Sequence, residues 1–290
     1  MRICRFDNDR LGIVSNGLVH DVTAIQEQIR ASTPYAAKGD AFISVLPEWR
    51  DRLAAEAAKV RGVPVSSVAL ISPVTRPSKA VAAPTNYQDH IAEMAAARVA
   101  SGSKHTAKIG TDGLFLKAAS SIVGPSEGVP VRFPERRTDH ELELVVVIGE
   151  QGTDISQARA FDHIAGYCLG LDMTIRGPED RSFRKSPDGY AVLGPWMVTA
   201  DEIADPDDVP LLLKVNGEVR QQSNTRHLIY GIRRLIEFAS SFYTLYPGDV
   251  LYTGTPSGVG PVKPGDVITL ESPLIGAMTV GVRAHVPKSS

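Results

Sequence analysis

Three acidic residues have the types and the spacing of a metal site. Glu141 and Glu143 are separated by one residue in a nearly continuous aliphatic segment, and Asp172 follows a second apolar run. In a β-strand, alternate side chains share a face, so the two glutamates would lie about 7 Å apart on one side. Carboxylates beside a core are costly to desolvate without a cation, and Mg²⁺, Mn²⁺ and Ca²⁺ prefer oxygen ligands. The pattern indicates a divalent metal site, or else the wet face of a half-buried strand.

A histidine and a glutamate three residues apart, His90 and Glu93, could form a base with its orienting carboxylate. If this segment is helical, the two side chains are neighbours, and the carboxylate orients the imidazole as a base for water requires. A surface ion pair is the alternative. The sequence has no His-Glu-x-x-His motif, so a zinc protease would lack its ligands.

Cationic residues follow the third carboxylate directly. They are Arg176, Arg181, Arg184 and Lys185. Beside a metal site they could hold an anionic substrate or stabilise developing negative charge. They could equally well neutralise only the acidic residues of neighbouring loops.

A glycine-rich segment, 252–260, follows a predicted strand. It lacks the lysine of a phosphate-binding loop and the spacing of a dinucleotide fingerprint. Its backbone N–H groups and the Thr255 hydroxyl could hold a carboxylate. A plain tight turn between strands is the alternative.

The N-terminal part of the chain has the pattern of a small α+β module. Residues 1–24 alternate around Asn16-Gly17, which predicts a β-hairpin. The stretch 49–60 is typical of a helix, and Gly62 is expected to cap its end.

A proline-rich stretch, 73–84, predicts a linker. The chain is therefore expected to divide near residue 75, into a small N-terminal domain over 1–75 and a larger domain over 76–290.

The larger domain is predicted to be mostly β. Strand patterns occur at 114–123, 141–149, 166–174, 191–199, 210–221, 250–253 and 267–284. Helices are predicted over 154–164, capped by Asp154, and over 225–241, which carries one apolar stripe. The segment 94–113 could be a mobile lid or an ordinary surface loop.

Composition excludes several classes of protein. The 290 residues are 43% hydrophobic and 22% charged, with a formal net charge of −2. The sequence has no basic block and no apolar run of about 18 residues, so neither nucleic acid nor a membrane is an expected partner. The charged start lacks the apolar stretch of a signal peptide. Cys4 and Cys168 suggest buried core residues, and a reducing, cytoplasmic location is expected.

Eight segments, taken in order, resemble the fumarylacetoacetate hydrolase family, in its acylpyruvase and 2-hydroxyhepta-2,4-diene-1,7-dioate isomerase-like branch. They are NYQDHIAEM, GLFLKAASS, DHELELVVVIG, GYCLGLDMTIR, FRKS, LGPWMVTADEI, VNGEVRQ and TGTPSGVGPVKPGD. The resemblance covers residues 80 to about 283 and implies a mixed β-sandwich roll with a small N-terminal α+β domain. It also implies a homodimer that binds Mg²⁺ or Mn²⁺, with Ca²⁺ as a possible substitute.

The family motifs imply roles for ten residues. The implied metal ligands are Glu141, Glu143 and Asp172. The implied catalytic residues are His90 and Glu93, as the water-activating dyad, and Lys185. The implied substrate-binding residues are Lys117, Arg176, Gly254 and Thr255. The chain departs from the motif after Asp172, where many relatives read TARD-x-Q and this chain has Thr174-Ile175-Arg176-Gly177-Pro178-Glu179, so a polar substrate contact is expected to differ.

We therefore expect a metal-dependent hydrolase that cleaves a carbon–carbon bond of a 2,4-dioxo acid, an acylpyruvate or fumarylpyruvate-like compound. The metal would chelate the 2-oxo-carboxylate end, His90 would activate water, and Lys185 would stabilise the oxyanion before a pyruvate enolate leaves. Oxaloacetate decarboxylation or tautomerisation of an oxo-diacid on the same metal is one alternative. An inactive member that only binds a small molecule is the other.

Overall fold

β-Strands dominate the chain. The computed structural model describes residues 1–32, 38–75, 77–93 and 108–286. The long helices are α1 (Thr23–Ser32), α2 (Ala41–Lys59) and α3 (Ile232–Phe242). Single helical turns lie at Ile109–Asp112 and Arg181–Arg184, and residues 88–93 are helical. No helix in these ranges is long and apolar enough to span a membrane.

The largest sheet has twelve strands. Numbered by their place among all strands of the chain, they are β1 (Arg2–Phe6), β2 (Arg10–Ser15), β3 (Leu18–Asp21), β4 (Val63–Pro64), β5 (Leu70–Ile71), β6 (Ala80–Ala82), β7 (Phe115–Lys117), β8 (Ile122–Val123), β11 (Leu142–Ile148), β12 (Ile164–Asp172), β14 (Ala191–Thr199) and β17 (Val250–Tyr252). Their order in the sheet is β4-β3-β2-β1-β14-β12-β11-β17-β6-β7, with β5 beside β1 and β8 beside β14. The predicted strands of the larger domain are therefore largely confirmed.

Two smaller sheets complete the fold. One has three strands, which are β10 (Thr138–His140), β13 (Thr174–Ile175) and β18 (Gly260–Val262). The other has five strands, which are β9 (Val129–Val131), β15 (Pro210–Val215), β16 (Glu218–Asn224), β19 (Val267–Ser272) and β20 (Gly276–Ala284).

Strand β11 lies at the centre of the core and is buried over its whole length. Its even-numbered residues, such as Leu144 and Val146, pack into one apolar cluster. Val145 and Val147 pack into another, on the opposite face of the sheet. Both faces are covered, so the sequence of β11 is nearly continuously aliphatic. Glu143 lies on the face of Val145 and Val147, which makes it an ionisable group inside a core.

The predicted N-terminal hairpin is confirmed. Strands β2 and β3 pair across Asn16 and Gly17, which have φ angles of 49° and 73°. Both angles are those of a type I′ turn, which favours this dipeptide. Strand β1 also pairs with β14, where Arg2 lies opposite Val198. The large sheet thus contains strands from both sides of residue 75, and the division there stays a prediction.

The expected glycine cap of α2 is wrong. The helix begins after Asp40, whose carboxylate accepts the N–H groups of Phe42 and Ile43, and it ends at Lys59 before an extended Val60. Gly62 instead allows a close approach, because a Cβ atom there would lie 2.7 Å from the Cβ of Leu18.

The helix predicted over 154–164 is also wrong. Asp154 has a φ of 50°, and its N–H binds the Ser240 carbonyl. The N–H of Ile155 is bound by the Ser240 hydroxyl. An N-cap residue is extended, so Asp154 in this conformation does not start an α-helix, and the following turns close by shorter bonds, such as the Arg159 N–H to the Ser156 carbonyl. It contains a 3₁₀ turn, Ala160–His163, just before β12.

The helix predicted over 225–241 is confirmed in its C-terminal part. The α-helix begins at Ile232, and Thr225–His227 is a separate 3₁₀ turn. The side chain of Asn86 binds both the N–H and the carbonyl of Tyr230. This contact holds the backbone before Ile232 in a non-helical conformation.

Candidate active site

The three carboxylates named from the sequence lie together where β11 begins and β12 ends. These two strands pair antiparallel, with Glu143 opposite Gly170, and the N–H of Asp172 binds the Glu141 carbonyl at 2.9 Å. One carboxylate oxygen from each of Glu141, Glu143 and Asp172 lies within 4.8 Å of the others, and all three residues are buried. The pairing of the strands therefore joins two residues that lie two positions apart in the sequence with one that is distant.

Two buried lysines bind these carboxylates. The Lys185 Nζ lies 2.6 Å from Glu141 Oε2 and 2.7 Å from Asp172 Oδ2. The Lys117 Nζ lies 2.5 Å from Asp172 Oδ1 and also donates to the Lys185 carbonyl. Lys117 ends β7, and Lys185 follows the helical turn Arg181–Arg184. Two ammonium groups thus offset part of the buried negative charge of three carboxylates.

Burial and charge drive the pKa values of this cluster in different directions. Burial alone would raise the pKa of Glu141, but Lys185 and then Arg176 outweigh it and lower that pKa to about 2. Burial raises the pKa of Glu143 well above its usual value, and Asp172 raises it further. Burial would lower the pKa of Lys185, but Asp172 and Glu141 raise it. Burial lowers the pKa of Lys117. Glu143 is therefore the carboxylate that most needs a further cation.

The glycine-rich loop after β17 holds the chain's own carboxylates. The Gly254 N–H donates to Glu143 Oε2 at 2.6 Å, and the Gly258 N–H donates to Glu93 Oε1 at 3.0 Å. Gly254 has a φ of 101°, and a Cβ atom there would lie 2.6 Å from the Cβ of Asn86. Glycine is thus required at 254 by both conformation and space.

His90 and Glu93 are in contact, as their helical spacing predicts. The His90 Nδ1 lies 2.9 Å from Glu93 Oε2. Burial would raise the pKa of Glu93, but the His90 hydrogen bond and the Gly258 N–H lower it. His90 is also buried, and it adds to the field that lowers the pKa of Glu141. The pair therefore lies beside the carboxylate cluster, with Nδ1 of the imidazole fixed by a carboxylate.

Arg176 is bound to the chain's own acids. Its Nε lies 2.6 Å from Asp139 Oδ2, and a terminal nitrogen lies 3.6 Å from Glu141 Oε1. The Thr174 hydroxyl donates to the same Glu141 oxygen at 3.0 Å. Arg176 and Thr174 thus orient Glu141, and a direct role of Arg176 in substrate binding stays a prediction.

Two buried amides that support the site received no role from the sequence. Gln221 accepts the N–H of Leu142 at 2.9 Å and donates to Thr255 Oγ1 at 2.8 Å. Asn86 donates to the Thr253 carbonyl at 2.8 Å. Both belong to segments that carry the family resemblance, and that position is the signal that could have found them. The substrate-binding roles of Gly254 and Thr255 stay predictions.

The donor set fits a hard divalent cation. It offers three carboxylates, the oxygen donors that Mg²⁺, Mn²⁺ and Ca²⁺ prefer. The buried Tyr87 hydroxyl has no hydrogen-bond partner in the described part of the chain, and its pKa is raised by burial and then by Glu143. A bound cation would stabilise the Glu143 carboxylate most, since no lysine among the described residues hydrogen-bonds it. The segment 94–113, expected to be either a mobile lid or a surface loop, falls largely on residues 94–107, which lie outside the described ranges.

The site defines the class of protein. Residues 79–283 match the family model described as fumarylacetoacetate (FAA) hydrolase C-terminal. The chain belongs to the fumarylacetoacetate hydrolase family.

Particular relatives are similar over the whole chain. A maleylpyruvate hydrolase of Aquipseudomonas alcaligenes is 48% identical over 290 residues, which cover 98% of this chain and 100% of the relative. A mitochondrial oxaloacetate tautomerase of Bos taurus is 33% identical, over 96% of this chain and 90% of its own. The crystal structure of a maleylpyruvate hydrolase from Sphingobium sp. SYK-6, in complex with manganese(II) and pyruvate, is 34% identical. It covers 99% of this chain and 100% of its own with a TM-score of 0.82, which confirms the predicted fold class.

Proposed function

We propose that this protein is a divalent-metal-dependent hydrolase that cleaves the carbon–carbon bond of an acylpyruvate with a carboxylated acyl group, such as maleylpyruvate. The observation that carries the proposal is the buried carboxylate triad with an imidazole–carboxylate pair beside it. Glu141, Glu143 and Asp172 supply the metal ligands, and His90 and Glu93 supply the pair. The whole-length similarity to maleylpyruvate hydrolases supports the same activity.

The cation, held by Glu141, Glu143 and Asp172, would supply Lewis acidity toward the 2-oxo-carboxylate end of the substrate. The remaining chemistry falls to side chains. Glu93 fixes Nδ1 of His90, so Nε2 is the nitrogen that takes a proton from water as the oxygen attacks C4.

Lys185 keeps its proton, because Asp172 and Glu141 raise its pKa. Its ammonium group would donate to the C4 oxygen as that atom gains negative charge. The C3–C4 bond then breaks, which gives a carboxylic acid and the enolate of pyruvate. Protonation at C3 by the His90 imidazolium completes the reaction and restores the base.

Hydrolysis, decarboxylation and tautomerisation would all use the same metal ion. Hydrolysis and decarboxylation differ in their need for a base. The tautomerase relative, at 33% identity, supports oxo-diacid tautomerisation less strongly than the hydrolase relative supports hydrolysis. Hydrolysis requires a group that activates water, and decarboxylation does not. His90 therefore separates hydrolysis from decarboxylation.

The first test is product analysis with maleylpyruvate and oxaloacetate as substrates, using metal-stripped protein with and without Mn²⁺ or Mg²⁺. We expect pyruvate and maleate from maleylpyruvate only when metal is present. His90→Ala should reduce this hydrolysis at least about 100-fold. His227→Ala, which replaces an exposed histidine, is the matched control and should retain it.

Metal-dependent pyruvate and CO₂ from oxaloacetate, with maleylpyruvate left intact, would replace the hydrolase by a decarboxylase. Binding of both compounds without any product would favour the inactive, ligand-binding alternative.

The proposal has three further parts, which concern the metal ion, the oligomeric state and the location in the cell. Mn²⁺ is the ion named for the similar structure from Sphingobium, and we propose Mn²⁺ or Mg²⁺ for this protein. The homodimer stays a prediction, which sedimentation at micromolar concentration would test. The cytoplasmic location likewise stays a prediction.

A further inference from the structure

One cation beside the carboxylate cluster is not bound by the protein itself. In the described part of the chain, the Arg181 guanidinium makes no hydrogen bond and no ion pair, although the residue is half-buried. The lysines of the cluster, Lys117 and Lys185, bind Glu141 and Asp172. Both lysines are therefore engaged with the carboxylates of the proposed metal site, and the third N–H of Lys185 is the one that the proposed reaction assigns to the C4 oxygen.

The other arginines nearby are used in the same way. Arg176 binds Asp139 at 2.6 Å. Arg184 donates to the carbonyl oxygens of Glu179 and Ile175 at 2.8 Å and 2.9 Å. These contacts use only some of the five N–H donors of each guanidinium, but they fix its orientation. Arg181 could turn toward an anion without losing a hydrogen bond to any described residue.

The position of Arg181 places it at the site. Its guanidinium carbon lies 5.4 Å from the centroid of the Phe115 ring, and the Lys185 Nζ lies 5.5 Å from the same centroid. Burial lowers the pKa of Arg181, and Glu141 is the foremost of the acids that oppose this effect. The acids that act on it further are Asp112, Asp180 and Asp172. Arg181 and Lys185 thus share one phenyl ring, with Glu141 close enough to act on both.

We infer that Arg181 binds the far carboxylate of a dicarboxylic substrate and thereby selects acylpyruvates whose acyl group ends in a carboxylate. The inference rests on the proposed function. The oxo-carboxylate end belongs at the carboxylate triad, and the reacting carbonyl belongs at Lys185. In maleylpyruvate, the second carboxylate is separated from that carbonyl by two carbon atoms. Arg181 and Lys185 lie against the same ring, so an arm this short would extend from the carbonyl at Lys185 to the Arg181 guanidinium, whose planar fork can bind a carboxylate through two hydrogen bonds.

The kinetic test compares a substrate that carries the second carboxylate on its acyl arm with one that has a methyl group in place of that arm. Maleylpyruvate has it, and acetopyruvate lacks it. In Arg181→Gln, KM for maleylpyruvate should rise about 10- to 100-fold, the usual effect of losing a charge-assisted contact. The loss of kcat/KM for maleylpyruvate should exceed that for acetopyruvate at least tenfold. Arg181→Lys keeps the charge without the fork and should fall between the wild type and Arg181→Gln.

Arg233→Gln is the matched control. Arg233 belongs to helix α3. Its guanidinium carbon lies 3.6 Å from the centroid of another phenyl ring, that of Phe161. Its loss removes an arginine–phenyl contact without touching the site, so both substrates should keep their wild-type kinetics. Equal losses on both substrates in Arg181→Gln would show a structural role and overturn the inference.

A binding test separates this inference from the proposed reaction. 2-Oxoheptanedioate and 2-oxoheptanoate have the carbon-chain length of maleylpyruvate but lack the 4-oxo group, so neither can be cleaved. Calorimetry on the Mn²⁺-loaded wild type should show tighter binding of the diacid, and Arg181→Gln should reduce that preference at least tenfold. If the wild type cleaves no acylpyruvate but shows this Arg181-dependent preference, the proposed function fails and the inference stands. A preference that is absent, or that survives in Arg181→Gln, overturns the inference.

Discussion

Replacing Gln221 with leucine should strongly destabilise the protein, because one buried amide joins the metal-site strand to the glycine-rich loop. Its Oε1 accepts the N–H of Leu142 at 2.9 Å and lies 3.2 Å from Nδ1 of His140. Its Nε2 donates to Thr255 Oγ1 at 2.8 Å and to the Pro256 carbonyl at 2.9 Å. Leucine has a similar volume and can make none of these hydrogen bonds.

The magnitude follows from the groups that lose their partner. The Leu142 N–H, the Thr255 hydroxyl and the Pro256 carbonyl would remain buried without Gln221. A buried polar group left unsatisfied costs about 1–3 kcal/mol. After partial relaxation, we expect the free energy of unfolding to fall by about 3–6 kcal/mol. For a chain of this size, that corresponds to a melting temperature lower by about 6–12 °C.

Thermal and urea unfolding of purified Gln221→Leu, compared with the wild type, would measure this loss. Gln222→Leu is the matched control, because Gln222 is the next residue on β16, is exposed, and its side chain makes no hydrogen bond to the described residues. Its free energy of unfolding should stay within about 0.5 kcal/mol of the wild type. If the two variants unfold within about 1 kcal/mol of each other, the reasoning about this amide is refuted.

Further expectations concern the metal ligand, the loop and the thiols. Glu143→Gln should weaken Mn²⁺ binding, measured by calorimetry, at least about tenfold. The metal-free variant should melt no lower than the wild type, because it lacks a buried carboxylate whose pKa is raised. An unchanged Mn²⁺ affinity would remove Glu143 from the proposed ligands. Gly254→Ala should lower the melting temperature measurably, since its Cβ would lie 2.6 Å from that of Asn86, and an unchanged value would contradict the strain argument. Cys4 and Cys168 should resist a disulfide reagent at pH 8 until urea unfolds the chain, because both are buried and burial raises the pKa of Cys4 to about 12; fast labelling of the native protein would contradict this.

Local sequence patterns predicted the elements that depend on near neighbours. The alternation around Asn16-Gly17 predicted the first hairpin because a type I′ turn needs residues that tolerate a positive φ. The aliphatic run of β11 predicted a buried strand, and the spacing of Glu141 and Glu143 predicted two carboxylates at one place. In each case, the residues that determine the conformation lie within a few positions of one another.

Sequence patterns failed where a distant part of the chain hydrogen-bonds to the backbone of the segment. Residues after Asp154 resemble a helix, but Ser240 binds the N–H groups of Asp154 and Ile155, and Asp154 has a φ of 50° instead of the extended conformation of a helix cap. Residues before Ile232 carry an apolar stripe, but Asn86 binds the backbone of Tyr230. No pattern within either segment could show these partners, because they lie at least 85 positions away.

The sequence alone determined which residue types the site contains: three carboxylates, an imidazole with its glutamate, and a set of cations. The tertiary structure decided how they are used. It placed Lys117 and Lys185 on the carboxylates, held Glu143 by the Gly254 N–H, and left Arg181 without a hydrogen-bond or ion-pair partner among the described residues. The physical reason is that a buried charge is satisfied by whichever groups the fold brings within hydrogen-bond distance. Here strand pairing and loop closure join groups that are 111 residues apart in one contact and 165 in another, and those separations are set by topology.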